Sequence, residues 1–333
     1  NGLISMITMQ SWMFLSSYEK LRKKLAVREV VNMAHLGPRA FEEIGGEVVQ
    51  TTSFAMRNSY TKGYKGTYAR LIEPSSQKGK EEMFLKGENR YINNQDNFEK
   101  MPNHVYSYWF NKFYIFENGK MLKDIANPRQ GMKTLKNDYF IRNWYEVNSY
   151  KIFYTAKSLE EAKNSGCKYF PINHGGEYRK YYGNNFAVVN WLNDGEEMKN
   201  LAIKKYNSIT RTITNLSSYF KEGLTWSVIT SKPSFRWYNI GYMFTNSGQC
   251  IVPNEPIDLM YIGGLLNSKI TSFVLELLSP GMGFESGYLK KVPILYVPEK
   301  ANFVKESVWN SISLSKLDWD MHETSWDFKK SPL

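Results

Sequence analysis

Five residues within a nine-residue stretch, Arg129, Gln130, Lys133, Thr134 and Asn137, carry side chains with which duplex DNA can be read. A guanidinium can grip a guanine edge or a phosphate, and the amides of Gln and Asn can pair with adenine in the major groove. Lys168, Arg179, Lys180, Lys221, Lys232 and Arg236 add cations, each able to neutralise a phosphate and gain from counterion release. The same residues also fit a solvated loop and an ordinary charged surface, and composition does not separate the two. Residues 129–236 carry a net charge of +8 of the chain's +11, and 23 of the 51 aromatics lie between Arg129 and Phe244. Cations interleaved with flat rings suit phosphate contact and base stacking. They equally suit an aromatic core under a Lys-covered surface, and Tyr181, Tyr182, Trp191 and Trp226 read as core residues.

Other chemistries lack their residues. The four histidines, at 35, 104, 174 and 322, have no metal-ligand spacing, and Cys167 and Cys250 are too few for a disulfide framework or a four-thiolate zinc site. The sequence contains no H-E-x-x-H, paired C-x-x-C, G-x-S-x-G or phosphate-binding G-x-x-x-x-G-K-S/T. The doublets Gly45-Gly46, Gly175-Gly176 and Gly263-Gly264, and Gly281-Met282-Gly283, read as turns and close packing. No metal site is expected.

The elements that must position these residues fall into blocks. Leu3–Met9 is an uncharged run expected as a strand buried on both faces of a mainly parallel sheet. A helix from Ser16 to Leu25 follows, with Tyr18, Leu21 and Leu25 on one face, then strands over 30–37 and 48–56. Residues 1–72 thus read as part of an α/β domain. Residues 73–128 read as a connector, with a surface loop at 74–80 and a polar stretch at 95–103. From Arg129, short aromatic segments punctuated by Gly, Asn and Asp predict an α+β domain over 129–300 and a tail over 301–333. Helices are expected over 196–217 and over 258–278, the latter interrupted at Gly263-Gly264. The chain opens on Asn1 and runs directly into apolar residues, so a longer parent chain is expected. No apolar run approaches the roughly 18–20 residues that span a bilayer, and no basic segment precedes the first apolar run. The expectation is a cytoplasmic protein without membrane contact.

Specific blocks then narrow the reading. Gly2-Leu3-Ile4-Ser5-Met6-Ile7-Thr8-Met9-Gln10-Ser11-Trp12-Met13-Phe14-Leu15, Lys20-Leu21-Arg22-Lys23-Lys24-Leu25, and Phe41 with Val49-Gln50-Thr51-Thr52-Ser53-Phe54 resemble the C-terminal half of gamma-type adenine-N6 DNA methyltransferase domains. Arg129-Gln130-Gly131-Met132-Lys133-Thr134 and Phe140-Ile141-Arg142-Asn143-Trp144-Tyr145-Glu146-Val147 resemble the start of the target-recognition domain of PglX-type methyltransferases of bacteriophage-exclusion systems. The likeness continues through Lys168-Tyr169-Phe170-Pro171, 175–184, 188–191, 220–227, 266–269 and 318–328, and single-chain restriction-modification enzymes share the plan.

The resemblance implies a Rossmann-like α/β methyltransferase remnant followed by an α+β target-recognition domain that binds double-stranded DNA. It implies S-adenosylmethionine as cofactor of the full-length enzyme, and a flipped adenine held by an N-P-P-Y-like loop. This chain has no Pro-Pro pair and no acidic-aromatic-Gly-x-Gly turn, so neither cofactor binding nor methyl transfer is expected of it alone. Phe54 or Arg57, at the end of the third strand, could flank the flipped base from the methyltransferase side, although a strand Phe usually serves packing. Where the family has T-G-D-N or T-G-x-N, this chain has Thr134-Leu135-Lys136-Asn137, so a changed backbone path is expected there. Pro280-Gly281 replaces a Pro-Thr, expected to alter only a loop. A different class also fits: a non-enzymatic docking module for other phage-defence subunits, with the acidic stretch 237–333 as its protein interface.

Overall fold

The computed structural model describes residues 2–41, 43–44, 49–253, 258–278 and 283–331. Gly45-Gly46, Val48 and Pro280-Gly281 lie outside them. The described residues form a mixed α/β fold with several sheets, divided into two compact units. The first runs to Gly119 and takes in Leu277 and Leu278; the second begins at Lys120 and includes 301–331. The expected connector 73–128 is therefore shared between the two.

In the first unit, β1 (Leu3–Met9), β2 (Glu29–Pro38), β3 (Gln50–Arg57), β4 (Lys65–Arg70) and β5 (Arg90–Asn94) form one sheet in the order β1-β3-β2-β4-β5. Only β2 and β4 are parallel neighbours; the other pairs are antiparallel. This corrects the expected buried strand of a mainly parallel sheet. Among the described residues β1 pairs with β3 alone, and Leu3 and Ile7 are 70% and 59% exposed. An apolar run favours extended backbone, but what covers its faces depends on strand order, and here β3 inserts between β1 and β2.

The helix Glu19–Leu25 also turns a different face inward. Tyr18 and Leu21 are exposed, whereas Arg22 is completely buried. Its Nε donates to the Asn103 carbonyl at 2.8 Å, and Nη1 donates to those of Trp12 at 2.6 Å and Leu15 at 2.8 Å. The Leu15 carbonyl also accepts from the Tyr18 amide at 3.1 Å, but those of Trp12 and Asn103 belong to irregular backbone and depend on Arg22. Desolvation holds this guanidinium below its ordinary pKa, yet three charge-assisted bonds retain it.

The stretch expected as a loop at 74–80 contains the start of a helix, Gln77–Lys86, whose N-cap Ser76 accepts from the Gly79 amide. Lys80 is buried and donates to the carbonyls of Leu36 and Leu71, both at 2.7 Å. The polar stretch 95–103 contains the 3-10 segment Gln95–Lys100, which inserts Phe98 into the core beside Tyr68 and Tyr106. Polar composition concealed both because single residues, rather than a face, make the contacts.

His35 sits inside this core, with Nδ1 2.9 Å from the Tyr108 hydroxyl and Nε2 2.6 Å from Gln10 Oε1. The Gln10 amide nitrogen donates to Gln50, so Gln10 Oε1 receives the His35 Nε2 proton and Tyr108 donates to Nδ1. Burial, then the charges of Arg70 and Lys80, push its pKa down to about 3.

In the second unit, β6 (Lys120–Met121), β7 (Ala126–Arg129), β8 (Ile141–Asn143), β9 (Tyr169–Asn173), β10 (Ala187–Asn190), β11 (Gly223–Ser227), β12 (Phe235–Tyr238), β13 (Met243–Phe244), β14 (Gly248–Pro253) and β15 (Pro293–Ile294) are short. They build sheets ordered β13-β9-β10-β8 and β12-β11-β14-β7, with β15-β6 as a separate pair. Trp191, Phe170, Phe220, Phe244 and Met132 lie in one buried cluster. Tyr182, Trp191 and Trp226 are core residues, while Tyr181 is partly exposed.

The helix expected over 196–217 spans Leu192–Tyr206 and stops where Asn207 adopts a left-handed φ of 52°. The Ser- and Thr-rich segment beyond it favours local side-chain bonding over helix. The break in 258–278 comes at Asn267-Ser268, between helices Leu259–Leu266 and Lys269–Leu278, not at the glycines. Gly263-Gly264 instead lies against the helix Pro298–Asp320: a Cβ on Gly264 would come within 2.8 Å of Val308.

Two outcomes follow. Arg22→Met strands the Trp12 and Asn103 carbonyls and should cost about 3 kcal/mol, read as a lower denaturation midpoint of the first unit. His35 has a folded-state pKa below its unfolded value, so its contribution is complete above about pH 6.5 and is lost as pH falls toward 3. Between pH 7 and 4 the wild type should therefore lose about 3 kcal/mol more than His35→Gln. Equal acid slopes for the two proteins would contradict this.

Candidate nucleic-acid interface

The segment that begins at Arg129 leaves β7 and crosses from one large sheet of the second unit to the other. Arg129 pairs with Cys250 of β14. Three residues on, Met132 N–H donates to the Phe244 carbonyl at 3.0 Å, and Asn246 N–H donates to the Met132 carbonyl at 3.0 Å. Gly131 passes so close to Phe244 that an added Cβ would lie 2.0 Å from its carbonyl oxygen. The Gln130 carbonyl accepts from Thr214 Oγ1 at 3.1 Å and from Asn215 Nδ2 at 2.8 Å, while Lys133 N–H donates to the Thr212 carbonyl at 2.7 Å.

Met132 and Phe140, both buried, anchor the two ends of the loop between them. Its middle surrounds an open groove of about 780 Å3 lined by residues 133–139 and Asn246. Lys133, Lys136, Asn137 and Tyr139 are exposed there. Thr134 is buried, and its hydroxyl donates to Asn137 Oδ1, which fixes that amide at the first position of the short helix Asn137–Phe140. Tyr139 donates to Glu197 at 2.5 Å. The groove thus offers two ammonium groups, the exposed Asp138 carboxylate and an oriented amide on a loop held at both ends.

Leu135 has φ of +65°. A Leu thus holds the left-handed conformation that glycine adopts without steric cost. Thr134 before it is buried, and the buried Met132 and Phe140 fix the ends of the loop that holds it there.

The sequence-selected residues separate on inspection. Lys133, Thr134 and Asn137 meet in the groove. Arg129 is partly buried and bonds Asn215 Oδ1 at 3.1 Å, and Gln130 contributes its carbonyl to the same junction. Lys168 lies over the Tyr169 ring at 5.5 Å beside a smaller cavity containing Glu196 and Glu197. Arg179 pairs with Asp318 at 2.9 Å and lies over Trp319, and Lys180 donates to the Asn267 carbonyl at 2.7 Å.

Lys221 and Lys232 are exposed. Arg236 is 1% exposed, directed at the Arg179 carbonyl and Ser227 Oγ, and burial, then Arg179, push its pKa down to about 10. A side chain so enclosed cannot reach a phosphate in this conformation. Lys136, Tyr139 and Asn246 were missed. Lys136 carried a signal, an exposed charge inside the altered turn, whereas Asn246 reaches the groove only through the β13–β14 connection.

In the first unit, Phe54 is buried with its ring edge-on to Trp12, centroids 5.6 Å apart. Arg57 pairs with buried Glu29 at 3.1 Å. Three positions apart on one strand, they face opposite sides of the sheet. The strand-to-helix connection after β1 has no glycine between Gln10 and Ser17, and Arg22 occupies two of its carbonyls. It therefore does not fit S-adenosylmethionine in the manner of a Gly-rich turn. Among the described residues, no group of three or more His, Cys, Asp or Glu could hold a metal, and no helix is long and apolar enough to cross a membrane.

The mixed α/β fold is similar to that of a solved restriction-modification enzyme. The chain superposes on MmeI, a type IIL restriction-modification enzyme solved in complex with DNA, with a TM-score of 0.58 and 10% identity, covering 98% of this chain and 43% of that one. At that identity the likeness is one of fold. No protein-family model matches the chain. The chain is homologous along its whole length to adenine-specific methyltransferases: PglX of Lacticaseibacillus casei (strain Zhang), 39% identical over 345 residues, and BrxX of Escherichia coli O9:H4 (strain HS), 34% identical over 342 residues. It covers 28% and 26% of those relatives, about a quarter of their length.

The strained turn gives a test. Leu135→Gly should stabilise the second unit by about 1 kcal/mol if relief of the left-handed φ outweighs glycine's unfolded-state entropy, measured by denaturation. Destabilisation would mean that Leu135 packing outweighs the strain.

Proposed function

We propose that this chain is the DNA-recognition portion of an S-adenosylmethionine-dependent adenine-N6 DNA methyltransferase of a restriction-modification or phage-defence system. The first unit is then the C-terminal part of the Rossmann-like catalytic domain, and the second is the target-recognition domain that reads duplex DNA. The observation that carries this reading is the groove at 133–139, where Lys133, Lys136 and the fixed Asn137 amide emerge together on a chain homologous throughout to adenine-specific methyltransferases.

In this reading the ammonium groups take phosphates and set register, and Asn137 meets a base edge. Lys221 and Lys232 extend the cationic surface, while Arg129 and Gln130 hold the loop. Phe54 and Arg57 act on the target base only through parts of the site that lie outside this chain's residues. S-adenosylmethionine serves the full-length enzyme, and this chain alone binds none and transfers no methyl group.

Duplex affinity should fall steeply between low and physiological salt. The double variant Lys133→Ala, Lys136→Ala should lower the slope of log affinity against log salt by about 2. Asn137→Ala should instead narrow the difference between specific and unrelated duplexes by about tenfold or more. Affinity insensitive to salt and to all three substitutions would remove the DNA reading, and incorporation of labelled methyl groups by the chain alone would remove its inactivity.

A further inference from the structure

Asn137 stands exposed in the groove, but one end of its amide is already engaged: Oδ1 accepts from the Thr134 hydroxyl. Thr134 is 1% exposed, and among the described residues its hydroxyl proton has no other acceptor. Were the amide to turn over, Nδ2 would donate to the hydroxyl oxygen and leave that proton enclosed without a partner, which burial penalises. The bond therefore holds Oδ1 toward Thr134. What remains for a ligand is Nδ2, a donor.

The neighbouring groups add to that polarity. The exposed ammonium groups of Lys133 and Lys136 are donors only, and they line the same groove. Tyr139 gives its proton to Glu197, so its oxygen and the exposed Asp138 carboxylate are the acceptors on this loop. Guanine is the base whose major-groove edge offers two acceptors, O6 and N7, and no donor. Adenine sets its N6 donor beside N7, thymine offers one acceptor, and cytosine offers a donor. An Asn free to turn matches adenine, taking N6 on Oδ1 and giving Nδ2 to N7. Here adenine would need the atom that Thr134 engages. Guanine needs only donors, and the cytosine paired with it offers its N4 amino group to a carboxylate such as Asp138.

We propose that Thr134 sets the base specificity of the groove: by holding Asn137 Oδ1 it makes the amide a donor and selects guanine, in a G·C pair, over adenine. This deepens the DNA reading given above and rests on it. Thr134 is buried and touches no base, so it is a positioning residue that acts through Asn137. Lys133 and Lys136 attract phosphates whatever the sequence, so the preference separates from the overall affinity.

The experiment incubates the whole chain at physiological salt with duplexes of constant flanks around a randomised core, and sequences what is retained. Comparison with Asn137→Ala identifies the position that the amide reads. There the wild type should hold guanine over adenine by about tenfold. Thr134→Val keeps the side chain's shape but frees the amide to turn, and should lower that ratio about fivefold or more, with the salt slope of affinity unchanged. Thr134→Ser keeps the hydroxyl and should retain the wild-type ratio. In the Asn137→Ala background Thr134→Val should change nothing further. Thermal unfolding of each variant identifies any loss of fold. If Thr134→Val does not fold, Asn137→Asp decides: it keeps the Thr134 bond, replaces the donor by an acceptor, and should move the preference from guanine to a base with an amino group. Adenine selected by the wild type at that position, a Thr134→Val variant that selects as wild type, or an Asn137→Asp variant that still selects guanine would overturn the proposal. Salt-dependent retention of every core alike would sink this inference and leave DNA binding standing, whereas no retention of any duplex would sink both.

Discussion

The second unit depends on the passage of the backbone at Gly131 against Phe244. Both large sheets contribute to this junction: the chain comes from β7 of one and meets β13 of the other through paired main-chain bonds between Met132, Phe244 and Asn246. Only a residue without a side chain fits at 131. The junction buries Met132 in the core and makes the next residues turn outward, so the groove follows from how the sheets are joined. Thr134, Leu135 and Asn137 then refine its shape. A loop fixed at both ends presents its polar groups with little conformational entropy left to lose, the condition for reading a partner rather than merely attracting it.

Much of the basic excess serves the fold. Arg22, Lys80, Lys180 and Arg236 direct their charges at backbone carbonyls in irregular segments, and Arg179 joins Asp318. Short strands and many turns leave carbonyls without ladder partners, and a long cationic side chain can reach several of them. Each such residue gives up solvation, which the depressed pKa values of Arg22, Lys80 and Arg236 express. Net charge therefore overstates the cationic surface, which among the sequence-selected residues lies chiefly at Lys133, Lys221 and Lys232.

Element existence was more legible than element environment. The uncharged run at 3–9 had to be extended, and the Gly-, Asn- and Asp-punctuated segments beyond 129 had to be short strands and turns, because local sterics and backbone bonding act over a few residues. The same local information could not show that β3 would separate β1 from β2, or that Arg22 would be buried while Leu21 faces outward. Those outcomes depend on strand order and on carbonyls far along the chain. The glycine doublet at 263–264 shows the same limit: its small size was evident, but only packing against Val308 gave that size its purpose.

By itself the sequence pointed to the homology with adenine-specific methyltransferases, since its motifs resemble theirs along the whole chain. It also marked Lys133, Thr134 and Asn137, because residue type and close spacing already put them in one loop. The tertiary structure alone decided which cations remain at the surface, that Leu135 adopts a left-handed φ, and that six aromatics scattered from Trp144 to Trp326 enclose one concavity. The reason is physical: side-chain chemistry is a property of each residue, whereas burial, strain and enclosure belong to contacts between residues many positions apart.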